Sequence, residues 1–219
     1  MTGRHQAPRA ILFDWDNTLA DNWRSIHDAL NMTLEAMGHP SWSPAQTRQR
    51  VRRSLRDSFP QLFGERWQEA RDIFYAEIFE NHLSTLRELP GAGAMLADLA
   101  GRDLYLGVVS NKRGDLLRRE ASHLGWDGYF GALVGANDAA EDKPATAPVH
   151  LALDGSGIGA GKQVWFVGDT AIDMRCARNS GCVAVLIGDG SLDTEELAQV
   201  PPDLHARDFG GLIDLVVAG

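Results

Sequence analysis

The sequence predicts an α/β protein: a doubly wound parallel sheet with an all-helical cap inserted after its first strand. Three observations predict it. After residue 88, short apolar runs bounded by Gly or Asp alternate with helical patterns. Residues 21–88 instead carry long amphipathic patterns and no convincing strand. Finally, carboxylates and hydroxyls follow directly on the apolar runs, where an open parallel sheet places its ligand.

In chain order, "AILFD" (10–14) reads as a buried first strand that runs into Asp14 and Asp16. The insertion begins with "NWRSIHDALNMTLEAMG" (22–38). It continues with "SPAQTRQRVRRSL" (43–55), where Ser43 is placed to cap a helix and Pro44 suits its first position. "ERWQEARDIFYAEIFENHL" (65–83) is a further amphipathic pattern, and the chain returns near "LPGAG" (89–93). Strands are then expected at 104–110, 131–135, 163–169 and 183–190. The helical patterns "GAGAMLADLAG", "RGDLLRREASHLG", "APVHLALDGSG" and "TAIDMRCARNSG" separate them. This βαβ series makes a Rossmann-like core of residues 1–20 and 89–219, with a cap of residues 21–88. "GSGIGAGK" (155–162) imitates a phosphate loop, but it runs from a helix into a strand rather than from a strand into a helix. Gln163 also stands where a magnesium-binding hydroxyl belongs, so the stretch is a connecting loop.

Composition narrows the function. A net charge of −9 argues against a general nucleic-acid binder. The cap segment holds nine arginines and no lysine against ten acids, so it is the less acidic part of the chain. Cys176 and Cys182 have neither disulfide-framework nor metal-site spacing and read as reduced, buried thiols. The N-terminal decapeptide has no apolar h-region and no run approaches a membrane span, so a soluble, cytoplasmic protein without membrane partners is expected.

Two like charges one residue apart are costly unless a cation or a reaction uses them. Asp14 and Asp16 end the first strand, Ser110 and Asn111 end the second, Lys143 follows the third, and Asp169 ends the fourth with Asp173 four residues on. All fall on one sheet edge, and several hard carboxylate oxygens in one place suit Mg²⁺.

In order and placement, "DWDNT", "SN", Lys143-Pro144 and "GDTAID" resemble the four motifs of the haloacid dehalogenase superfamily. The helical insertion is similar to the cap of its phosphoglycolate phosphatase-like branch. The resemblance implies that Asp14 is the nucleophile and that Asp16 is the general acid and base. It implies Mg²⁺ held by Asp14, the main-chain carbonyl of Asp16 and Asp169, with Asp173 in support. Ser110 and the Asn111 amide would bind phosphoryl oxygens, and Lys143 would offset the accumulated negative charge. Thr18, Asn22, Arg52 and Arg53 are the candidate substrate contacts, since arginine suits phosphate and carboxylate recognition.

The remaining arginines of the run, Arg48, Arg50 and Arg56, are expected on a solvated helix face, with Val51 and Leu55 on its buried side. Trp23, His27 and Trp67 are expected to pack helices. An acid at position 16 argues against dehalogenation. A lysine-free cap, with Ile26 where mutase relatives carry histidine, ranks β-phosphoglucomutase-like transfer lower. The expected function is Mg²⁺-dependent hydrolysis of a small phosphorylated metabolite such as a phosphoglycolate-type ester or a sugar phosphate. Its rivals are that transfer reaction and a non-catalytic phosphate-binding module. A monomer and a homodimer fit the sequence equally. Asn17 is expected at positive φ, and Trp15 is expected to point away from the phosphate into apolar packing.

Overall fold

The computed structural model describes residues 6–51, 54–188 and 194–219. Among them, six parallel strands form one sheet: β1 (Ala10–Phe13), β4 (Tyr105–Arg113), β5 (Ala132–Ala136), β6 (Val164–Gly168), β7 (Val183–Ile187) and β8 (Leu204–Ala206). Their order is β5-β4-β1-β6-β7-β8. The chain winds outward from β1 through β4 to β5, then returns to β6 on the other side of β1. That reversal opens a crevice at the carboxyl ends of β1, β4 and β6. Phe13 is in register with Val108 on one side and Val167 on the other, so the residues after these three strands meet at one edge.

Strand alternation divides the core between the two faces of the sheet. Ile11, Phe13, Val108, Trp165, Val167, Val183 and Val185 belong to one apolar cluster. It is completed by α5 (Ala92–Ala100), α6 (Gly114–His123) and α10 (Phe209–Ala218). Ala10, Leu12, Phe166, Ala184 and Leu186 belong to the other, packed by α7 (Ala147–Leu153) and α8 (Ala171–Asn179), with Leu197 from α9 (Thr194–Gln199). Phe166 is fully buried, and cutting such a side chain back to alanine costs about 3–5 kcal/mol. The edge that carries the polar residues is therefore held by a sheet buried on both faces.

A two-stranded antiparallel ribbon, β2 (Ala20–Asp21) with β3 (Arg87–Glu88), joins core to insertion. Between its strands lie α1 (Trp23–Ala36), α2 (Pro44–Arg50), α3 (Leu55–Phe63) and α4 (Trp67–Thr85). Ser43 caps α2, accepting from the Gln46 N–H while Gln46 bonds back to the Ser43 N–H. The insertion rests on the core through Ala29 and Ile78 against Leu116 of α6. An ion pair of 2.8 Å between Arg56 and Asp142 adds a second tie.

The structure departs from the sequence reading in four places. First, α2 stops at Arg50 instead of running to residue 55, and Val51 has left helical geometry (φ −88°, ψ 86°). Arg48 and Arg52 would be like charges four apart in a longer helix, which opposes its extension. Val51 and Leu55 thus lie at the end of α2 and the start of α3, although both still pack on the cap core. Second, α3 forms despite Pro60 inside it. Third, β2 and β3 are two residues each, too short to show a period. Fourth, β8 and α10 follow the last expected strand; α10 opens Phe-Gly-Gly, which reads as loop, and Asp208 caps it by accepting from the Gly211 N–H. Residues 155–162 do connect α7 to β6, and both cysteines are free and buried. Among the described residues, no helix is long and apolar enough to cross a membrane.

Candidate active site

The floor of the crevice is built by the ends of β1 and β6. The Asp14 N–H donates to the Val167 carbonyl at 2.9 Å, so the chain stays extended one residue past β1 and holds the Asp14 carboxylate at the edge. Lys143, buried and reaching in from the loop after β5, donates to Asp14 Oδ1 at 2.6 Å and to Asp173 Oδ1 at 2.7 Å. Asp173 is also the third residue of α8, where it accepts from the Thr170 N–H and hydroxyl and closes a capping box. Gly168 makes this approach possible, since a Cβ there would lie 2.4 Å from the Asp173 carboxyl. The Thr18 hydroxyl donates to Asp169 at 3.2 Å.

Asp14, Asp169 and Asp173 thereby place carboxylate oxygens within 4.8 Å of one another. Burial pushes the Asp14 carboxyl up to about 7; Asp173 and Asp16 add to the rise while Lys143 opposes it. Asp169 is raised well above the usual carboxylate range, by burial and then by Asp173 and Asp14. Lys143 is held protonated, the pull of Asp14 and Asp173 outweighing its burial. Ionising all three acids against one ammonium would leave negative charge uncompensated, and all the donors are hard oxygens. The set fits a small divalent cation such as Mg²⁺.

A second polar group lies beside the first. Asp16 turns its carboxylate away from the triad and meets Lys112 Nζ at 2.8 Å and Asn22 Nδ2 at 2.9 Å. Both donors are fixed on Glu120, a fully buried residue of α6, at 2.7 and 2.8 Å. The same carboxylate accepts from the Trp15 indole at 2.7 Å and pairs with His82 Nδ1 of α4 at 2.8 Å. Burial alone would raise Glu120, but Lys112, then the His82 and Trp15 hydrogen bonds, hold it down to about 2. One carboxylate thus ties together strand, hinge, core helix and cap helix.

The sequence-selected residues are distributed as follows. Asp14, Lys143, Asp169 and Asp173 come together, and Ser110 lies nearby, 4% exposed, lining the same cavity. The Asn111 side chain is taken up by the main chain of Lys143, accepting from its N–H at 2.9 Å and donating to its carbonyl at 3.2 Å. It thereby sets the lysine loop against β4. The Asp16 carboxylate is not a member of the acidic triad. Thr18 is fully buried with its hydroxyl on Asp169, so it supports the triad instead of facing substrate. Asn22 lines the cavity while bonded to Asp16 and Glu120. Arg52 and Arg53 lie outside the described residues.

Trp23 lines the cavity under the guanidinium of Arg48. His27 bonds Thr47 and Trp67 packs on the cap core, as expected. Asn17 has φ 61°, the glycine-like conformation expected of it. Trp15 is fully buried edge-on to Trp126, and its indole N–H adds a polar bond that the sequence reading did not foresee. Lys112, Glu120, His82 and Arg56 were missed as functional candidates. For Glu120 a signal existed: Leu116, Leu117, Glu120 and Ala121 share one buried helical stripe, and a carboxylate on such a stripe needs partners.

Comparison with known proteins identifies the family. Residues 11–187 match the family model described as haloacid dehalogenase-like hydrolase. A phosphoglycolate phosphatase of Photorhabdus laumondii is 30% identical over 95% of this chain and 92% of its own length. Another, from Xanthomonas campestris pv. campestris, is 31% identical over 90% and 95%. Among solved structures, a haloacid dehalogenase-like family hydrolase of Streptococcus pneumoniae is 25% identical with a TM-score of 0.83, over 94% of this chain and 97% of that one.

Proposed function

The chain belongs to the haloacid dehalogenase-like hydrolase family as a phosphatase, and from that premise we propose that it hydrolyses a small phosphomonoester through a phosphoryl group carried on Asp14. The observation that carries this reading is Lys143, whose ammonium bridges Asp14 and Asp173 at 2.6 and 2.7 Å beside Asp169. A carboxylate that attacks phosphorus needs to be ionised, fixed and surrounded by positive charge. Lys143 supplies the fixing and part of the charge.

In this reading an Asp14 oxygen attacks phosphorus and the P–O bond to the alcohol breaks. Asp16, in its acid form, gives its proton to the departing alkoxide. Asp16 then takes a proton from a water whose oxygen attacks the same phosphorus. The bond between phosphorus and Asp14 breaks, inorganic phosphate leaves and both aspartates are restored. Ser110 and the Asn111 main-chain amide orient phosphoryl oxygens, and Lys112 with Asn22 keeps the Asp16 carboxylate aimed. Asp14, Asp169 and Asp173, with the main-chain carbonyl of Asp16, would hold a Mg²⁺ ion, which when bound supplies charge compensation and orientation for the phosphoryl group.

The relatives carry the name phosphoglycolate phosphatase; for this chain the substrate proposed is a small phosphomonoester. Turnover of p-nitrophenyl phosphate tests the reading. Magnesium-dependent release of nitrophenol by the wild type, abolished by EDTA, is expected; a pure wild-type protein inert toward every small phosphoester with Mg²⁺ would refute it.

A further inference from the structure

The crevice continues above its catalytic floor into the cap as a cavity of about 190 Å³. Its upper wall is apolar. Trp23 and Ile26 of α1, Leu55 and Phe59 of α3, and Phe74 and Ile78 of α4 all face it. Trp23, Ile26, Leu55 and Phe74 are only partly covered by protein, although each lies in the interior angle between cap and core. Uncovered apolar surface of that kind gains from a ligand that removes it from water. An apolar cavity of about 150 Å³ accommodates a benzene ring, so this one has room for a single ring.

The charges point the same way. A second carboxylate on the substrate, close to the phosphoryl group, would need an unengaged cation near the floor. Among the described residues, Lys143 is engaged by Asp14 and Asp173, and Lys112 by Asp16 and Glu120. Arg113 is paired with Asp115 and stacked over Tyr75 and Phe79. Arg48 and Arg50 line the cavity from α2 at its exposed cap side, over the rings of Trp23 and Trp42, and not at the floor.

We propose that the preferred substrate is a phosphomonoester whose alcohol carries an uncharged apolar or aromatic group, seated in the cap chamber between Trp23, Ile26, Phe59 and Phe74. This rests on the phosphatase reading above and refines its substrate class.

The test compares kcat/KM with Mg²⁺ for benzyl phosphate, glycerol 3-phosphate and phosphoglycolate. All three are esters of alkyl alcohols, so leaving-group chemistry is similar in kind. Benzyl phosphate should exceed the other two by about tenfold or more, as expected for an apolar group fitted to its pocket. Ile26→Asn should bring the ratio close to one. Equal or better turnover of phosphoglycolate or glycerol 3-phosphate would overturn the proposal. If no ester is hydrolysed, the phosphatase reading has failed, and binding decides the chamber separately. Benzylphosphonate should then bind the wild type about tenfold more tightly than methylphosphonate, and equal affinity would overturn the proposal.

Discussion

At Asp16 the carboxylate meets Lys112 and Asn22, and both of those donors rest on Glu120. If Asp16 moves the protons, Asp16→Asn lowers kcat by about 10²–10⁴-fold while KM changes little, as steady-state kinetics will show. Glu120→Leu removes the shared acceptor of Trp15, Asn22, His82 and Lys112. Leaving those donors buried without it should cost about 3–5 kcal/mol in denaturant unfolding. The triad makes a pH-dependent prediction. In the metal-free protein, burial raises Asp14 from 3.8 to about 7 and raises Asp169 in the same direction. A folded-state pKa above the unfolded one gives stability that is complete below the unfolded value and is lost as pH rises through the folded one. Metal-free protein should therefore lose stability from about pH 4 to pH 7, and Mg²⁺ should raise Tm more at about pH 8 than at about pH 5. A magnesium shift that is larger in acid would contradict the cluster's assignment.

The elements differ in how plainly the sequence announced them. Strands β1, β4, β5, β6 and β7 were legible because each is an apolar run cut off by Gly, Asp, Ser or Asn. The same cut-off residues became the floor, so Asp14, Ser110 and Asp169 were found with their strands. The ribbon of β2 and β3 was not legible, since two residues have no period. Glu120 and His82 were hidden inside helices, where a single polar residue among apolar ones does not say what it meets. Lys112 reads as an ordinary residue after Ser-Asn until Glu120 is placed opposite it. Arg56 seemed a solvated helix residue, yet α3 points it at Asp142, one residue before Lys143. That contact lets the cap act on the lysine loop. Arg56→Ala should loosen the cap's hold on the lysine loop and raise KM severalfold, with a smaller change in kcat. An unchanged KM would show that the pair does not hold the cap.

Across the whole molecule, a sheet buried on both faces fixes the chemistry, and the four-helix insertion roofs it. Core and cap meet through the Ala29–Ile78–Leu116 contact, the Arg56–Asp142 pair and the His82–Glu120 bond. The fold and family are shared with haloacid dehalogenase-like hydrolases, and in the proposal above the apolar roof selects what the site accepts. In the proposed mechanism phosphorus is passed to Asp14 before it reaches water. The most direct measurement is to quench the wild-type protein in acid during turnover of a phosphomonoester with Mg²⁺, trap the acyl phosphate by borohydride reduction, and map the modified peptide by mass spectrometry. The modification should fall on residue 14, with none on residue 16 and none at either position in Asp14→Asn. Turnover without modification of residue 14, or undiminished turnover by Asp14→Asn, would contradict the claim.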